Sequence, residues 1–173
     1  MRKPLTSTLL AAALAAALLA LPGTAAAKPT MGPAATGTIT ETAAADPQFT
    51  TLVSLVQRAG LADELSGETK LTVFAPTNAA FRRVPEATLR KLGRNRALLR
   101  RVLLYHVVAG DVKAEQVVRL RAVRTLAGPS VRIRVRDEGV FLNRRAKVIK
   151  TDVQASNGTI HVINRVLLPP ARS

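Results

Sequence analysis

Leu71-Thr72-Val73-Phe74-Ala75-Pro76-Thr77-Asn78-Ala79-Ala80-Phe81 is the stretch on which the fold turns. Its first five residues are mostly apolar or β-branched and read as a strand, which Pro76 ends in a turn. Thr77 or Asn78 can then cap a short helix carrying Ala79, Ala80 and Phe81. Pro85 fits the first position of a further helix, with Glu86 near the positive end of its dipole. Phe74 and Phe81 read as core anchors.

Outward from this stretch, the apolar residues of Phe49 to Leu65 recur at helical spacing. Gly60 breaks them into two helices, in a place suited to a left-handed C-terminal turn. Downstream, Leu98, Leu99, Val102 and Leu103 fall within one arc of about 140° on a helical wheel. Arg94, Arg96, Arg100 and Arg101 take the opposite side. From Tyr105 the pattern turns to strands. Tyr105-His106-Val107-Val108 ends at a turn, Ala109-Gly110-Asp111, and a short helix follows over Ala114 to Val118. Val131, Ile133 and Val135 alternate with Arg132, Arg134 and Arg136, a half-buried strand with an arginine face. Asp137-Glu138-Gly139 reads as a hairpin loop into Val140-Phe141-Leu142. Strands around Val148-Ile149 and from Thr159 to Ile163 are separated by Asn157-Gly158, a two-residue hairpin signal. Val166-Leu167-Leu168 closes the chain. Helices precede strands, so the class is α+β in one domain, its N-terminal half mainly helical.

Residues 1–27 read as a secretory signal peptide. Arg2 and Lys3 are followed by a Leu/Ala run from Leu9 to Leu21 and by Ala25-Ala26-Ala27, which places the cut before Lys28. The apolar run falls short of the roughly 20 residues that a membrane span needs. Residues 28–36 hold two prolines and a glycine and read as a flexible linker, with order beginning near Thr38. Cleavage leaves 146 residues of formal charge +13, because the leader holds two of the 26 basic residues and none of the 11 acidic ones. The expected localisation is extracellular.

Composition removes most chemistry. Without cysteine there is no disulfide, thiolate metal site or cysteine nucleophile, and 3% aromatic residues are too few for broad base stacking. His106 and His161 sit in apolar surroundings and read as buried neutral imidazoles inside strands, with Asp152 the carboxylate nearest His161 in sequence. No serine has a strand–elbow–helix context and no glycine-rich phosphate loop is present. The chain is read as non-enzymatic, without metal or cofactor. Asn157-Gly158-Thr159 also fits a glycosylation acceptor, a use that a tight hairpin disfavours.

Three stretches carry a resemblance. Leu71 to Phe81, Leu104-Tyr105-His106-Val107-Val108, and Ala155-Ser156-Asn157-Gly158-Thr159-Ile160-His161-Val162-Ile163 through Pro169 are similar, in order and spacing, to the signature segments of the fasciclin domain family. The resemblance covers about residues 37–170, leaving 171–173 as a tail. It implies a fasciclin-type wedge of two β-sheets with several helices packed at one end. Two positions depart from the family's habit: Asn164 stands where Asp is frequent, and Arg144 where Gly often follows Asn143.

The resemblance also implies a secreted cell-adhesion or envelope and matrix interaction module, with a protein or polysaccharide partner. In animal members an Asp–aliphatic pair and the tyrosine–histidine segment are implicated in receptor binding, and the matching positions here are Asp152-Val153 and Tyr105-His106. Asp152 equally reads as a turn residue or local acceptor. The alternative, read from charge, is a binder of extracellular polyanions (anionic polysaccharide, wall polymer or DNA). Arginine outnumbers lysine 19 to 7, and Arg132, Arg134 and Arg136, or Arg96, Arg100 and Arg101, form stripes suited to phosphate or sulfate. The plain counterpart is a solvated surface serving solubility. Carriage of a small ligand such as haem or lipid is a third class, for which no axial-ligand motif is present.

Overall fold

The computed structural model describes residues 37–170. The signal peptide, the linker and the tail expected from sequence lie outside the described residues.

Among the described residues, seven α-helices and seven strands follow in chain order, with a single 3-10 turn at Pro47–Phe49 leading into the second helix. They are α1 (Ile39–Ala45), α2 (Thr50–Ala59), α3 (Ala62–Ser66), β1 (Leu71–Pro76), α4 (Asn78–Arg82), α5 (Glu86–Arg94), α6 (Arg96–Leu104), β2 (Val107–Ala109), α7 (Ala114–Val117), β3 (Ala122–Arg124), β4 (Ser130–Arg136), β5 (Gly139–Leu142), β6 (Ala146–Ala155) and β7 (Gly158–Ile163). The class is α+β, as the sequence predicts.

The strands pair in the order β2-β1-β7-β6-β5-β4-β3. The halves β2-β1-β7-β6 and β5-β4-β3 are joined where Phe141 faces Lys147. The sheet curls until its ends meet: Val108 bridges Thr125, and the Leu126 amide donates to the Val107 carbonyl at 2.8 Å. β1 and β7 run parallel, and every residue of both is buried. Such strands have both faces covered. Val73, Ala75, Ile160 and Val162 pack under the helices with Leu52, Val56, Leu99 and Val102. Phe74 and Ile163 point the other way, into the curl, beside Tyr105, Val131, Ile133 and Leu142.

Several local expectations hold. Gly60 ends α2 at φ 68°, the left-handed region in which glycine has no Cβ penalty. Leu99, Val102 and Leu103 are the buried face of α6. Thr77 caps α4.

Others are corrected. Asn78 does not cap its own helix: its carboxamide accepts from the Thr51 amide at 3.0 Å and donates to the Pro47 carbonyl, so it secures the start of α2. Pro85 is the cap of α5, in extended backbone, and not its first residue. His106 lies in the turn between α6 and β2, not inside a strand. The hairpin between β6 and β7 has Ser156-Asn157 as its loop, since Gly158 already pairs with Ala155. Asn157 is drawn inward instead. It is buried, its Oδ1 accepts from the Ile39 amide, and its Nδ2 donates to the carbonyls of Leu65 and Gly67, all at 2.8 Å. One side chain therefore ties α1 and the end of α3 to the sheet, and it offers no free amide to a glycan. Gly158 must be glycine, because a Cβ there would sit 1.8 Å from the Leu71 carbonyl oxygen.

Candidate functional site

α6 ends at Leu104, and Tyr105 turns its ring into the curl of the sheet at 2% exposure. Its hydroxyl donates to the Ser130 carbonyl at 3.2 Å and accepts from Asn143 Nδ2 at 3.0 Å. Asn143 Oδ1 in turn accepts from the Arg132 amide, so Tyr105 braces the loops around β4 and β5 from within. His106 is also 2% exposed. Its Nδ1 donates to the Val102 carbonyl and its Nε2 accepts from the Leu167 amide, both at 2.8 Å. Burial lowers its pKa to about 4, against a smaller upward pull from the Val102 carbonyl. This is the buried neutral imidazole expected, and neither ring has surface to offer a partner.

Asp152 lies at a β-bulge of β6, with φ 54°. Its backbone amide donates to His161 Nδ1 at 3.4 Å, and its Oδ1 accepts from the Ala114 amide at 3.0 Å, at the start of α7. It is thus exposed, and the amide it accepts from lies 38 positions away in sequence, so it is not the local acceptor expected. Val153 is half-buried against the helix-side core. Of the four residues in the two matched segments, only Asp152 is exposed, and no hydrogen bond joins it to Tyr105 or His106.

The sequence reading missed the polar clasp around these groups. Thr72 donates to the Gly110 carbonyl and accepts from the Val112 amide, each at 2.7 Å. Thr159 donates to Asp111, and His161 Nε2 donates to the Val112 carbonyl at 2.8 Å. With Asp152, these side chains hold residues 110–114 against β1, β6 and β7. The visible signal was a set of polar residues at buried strand positions, which demand partners.

The arginines divide. On α6, Arg100 is paired with Glu64 at 2.6 Å, Arg96 Nε reaches the Ala59 carbonyl at 3.4 Å, and Arg101 reaches the Pro170 carbonyl at 3.4 Å. That stripe is partly spent within the fold. Arg132, Arg134 and Arg136 are all exposed on β4. Ladder partners share a face, which adds Phe141 opposite Arg134 and Lys147 opposite Phe141. The Arg136 guanidinium lies 5.2 Å from the Phe141 ring centre, a cation–π distance. Arg144 and Arg145 occupy the adjoining turn. Residues 119–150 hold ten Lys or Arg and two Asp or Glu, and among the described residues the one ion pair is Arg100–Glu64. Among the described residues, too, no three His, Asp or Glu side chains gather in metal-binding geometry, and no helix is long and apolar enough to cross a membrane.

The model of the fasciclin domain matches residues 47–169. The chain is 47% identical over 135 residues to protein sll1483 of Synechocystis sp., spanning 77% of this chain and 74% of that one. It is 37% identical over 131 residues to immunogenic protein MPB70 of Mycobacterium bovis, spanning 73% of this chain and 66% of that one. Among solved structures it is similar to a FAS1 domain pair from the insect cell adhesion molecule fasciclin I, with TM-score 0.61 and 18% identity over 77% of this chain and 51% of that one.

Proposed function

The chain belongs to the fasciclin domain family, and from that footing we propose that it is a non-catalytic adhesion module, exported to bind a protein or polysaccharide at a cell surface or matrix. One observation carries the reading. The signature side chains Phe74, Phe81, Tyr105, His106, Asn157 and His161 are all buried. They build the scaffold, which leaves recognition to the exposed face. Export is supported by the charged-then-apolar leader at 1–27.

The exposed candidates are Asp152, at the β6 bulge, and the β4 arginine face. The second favours a polyanionic partner as a compatible alternative reading. Three guanidiniums alternate along one strand without acidic partners, and each presents a planar fork that matches phosphate, sulfate or carboxylate. Residues two apart on a strand lie about 6.8 Å from one another, close enough for several to engage one extended polymer.

The test is retention of the protein on the producing organism's cell envelopes at about 0.15 M and about 1 M salt, between which the screening length shrinks from roughly 8 to 3 Å. Retention at both salts, weakened by Asp152→Ala, supports a specific protein contact. Retention lost at high salt supports the polyanion. No retention at either salt contradicts both.

A further inference from the structure

Beneath α1, between α1, α2 and α3 on one side and β1 and β7 on the other, lies a cavity of about 280 Å³. Its walls include Ile39, Leu52, Val56, Leu65, Leu103 and Ile160, all buried. Protein interiors are close-packed, and voids larger than a water molecule are few. A half-open apolar pocket of this size on the helix-side core is therefore a structural feature to be explained.

Water does not suit it, because a buried water needs two to four polar partners. Apart from Gln57 at the mouth, the polar side chains at the walls are engaged. Both His106 nitrogens are used, as described above. The Thr40 hydroxyl bonds Ser66 at 2.6 Å, and the Glu41 carboxylate accepts from the Thr38 amide in a capping box. An apolar cavity of about 150 Å³ stays dry and takes up benzene; this one is nearly twice as large, which scales to roughly a dozen carbon atoms. The rim consists of Thr40, Glu41, Ala44 and Gln57, and Glu41 is the one charged residue of the lining. A carboxylate or phosphate head at that rim would meet a like charge.

We infer that this cavity is a binding site for a single medium-length aliphatic chain on an uncharged head, such as an alcohol, ester or neutral glycolipid. The site is independent of the surface reading above: envelope retention can fail while the cavity fills, and the reverse.

The chain has five isoleucines, at positions 39, 133, 149, 160 and 163, so isoleucine methyl NMR of the full-length protein reports on the site directly. Titration with 1-decanol is expected to shift Ile39 and Ile160 saturably while Ile133 and Ile149 stay still. Decanoate is expected to bind at least about tenfold more weakly because of the Glu41 charge. Ala43→Phe fills the space from α1, and Ala62→Leu from α3; either should abolish the response. No shift at Ile39 and Ile160 with decanol overturns the site, as does an unchanged response in a folded filling variant. Decanoate binding as well as decanol overturns the assignment of an uncharged head.

Discussion

Acidification should unlatch His106 from the Leu167 amide while leaving its Nδ1–H on the Val102 carbonyl. In the folded protein the ring is neutral, with Nε2 accepting from the Leu167 amide. A proton on Nε2 would face that N–H donor and would also place a charge where burial already holds the pKa at about 4. The unfolded chain takes up this proton near the ordinary pKa of 6.5. Between pH 6.5 and about 4 the unfolded state therefore binds one more proton than the folded state, and stability falls as pH falls. Each pH unit removes about 1.4 kcal/mol, or roughly 3 kcal/mol across the window. That is a large part of the 5–15 kcal/mol typical of a domain. Above pH 6.5 the contribution is complete, and below about 4 it is gone. Urea unfolding of wild type and His106→Gln at half-unit pH steps isolates the effect. The glutamine carbonyl can still accept from Leu167 but does not titrate, so the variant should lose about 1 kcal/mol at pH 7 and show a shallower slope below 6.5. A His106 ring that titrates near 6.5 in the folded protein by NMR, or equal slopes for the two proteins, would refute the reasoning.

Two further outcomes follow from single side chains. Asn157→Ala removes three hydrogen bonds and leaves the Ile39 amide and the Leu65 and Gly67 carbonyls without their partner. A loss of about 3–5 kcal/mol is expected, seen in chemical denaturation together with faster amide exchange across α1. Arg144 sits at φ 62°, directly after Asn143 at φ 48°, a conformation in which a Cβ costs about 1–2 kcal/mol. Arg144→Gly should therefore raise stability by about 0.5–1 kcal/mol after the entropy of glycine is discounted, read as a higher Tm.

Much of this fold is legible because its signals are local. Leu71 to Ala75 has strand chemistry and a proline stop, α6 has one apolar arc, and β4 alternates in sequence, though burial follows that alternation only as far as Ile133 and Val135 is exposed. Less legible are the features that depend on distant residues. α1 is announced by the Thr38…Glu41 capping box, yet four β-branched residues in five (Thr38, Ile39, Thr40 and Thr42) mask it. Asn157 reads locally as a turn residue, while its partners lie about 90 and 118 positions away in sequence. His106 belongs to an apolar run and so resembles a strand position, but the last turn of α6 captures its ring through Val102. The two arginine stripes look alike in sequence. Glu64 and the carbonyls of Ala59 and Pro170 decide that the α6 stripe is partly engaged, and all three arrive from other elements. A cavity has no sequence signal, since Ala43, Ala62 and Ala75 fill or leave space according to what faces them.

The central claim is that recognition lies on the exposed sheet face and not in the buried signature segments. It is tested most directly by replacing Arg132, Arg134 and Arg136 together with glutamine and measuring retention on the producing organism's envelopes at about 0.15 M salt, one screening length of roughly 8 Å. The three side chains are exposed, so the fold and its Tm should be kept. Retention reduced about tenfold or more, a change of about 1.4 kcal/mol, is the expected result. Retention equal to wild type, with Tm unchanged, would contradict it.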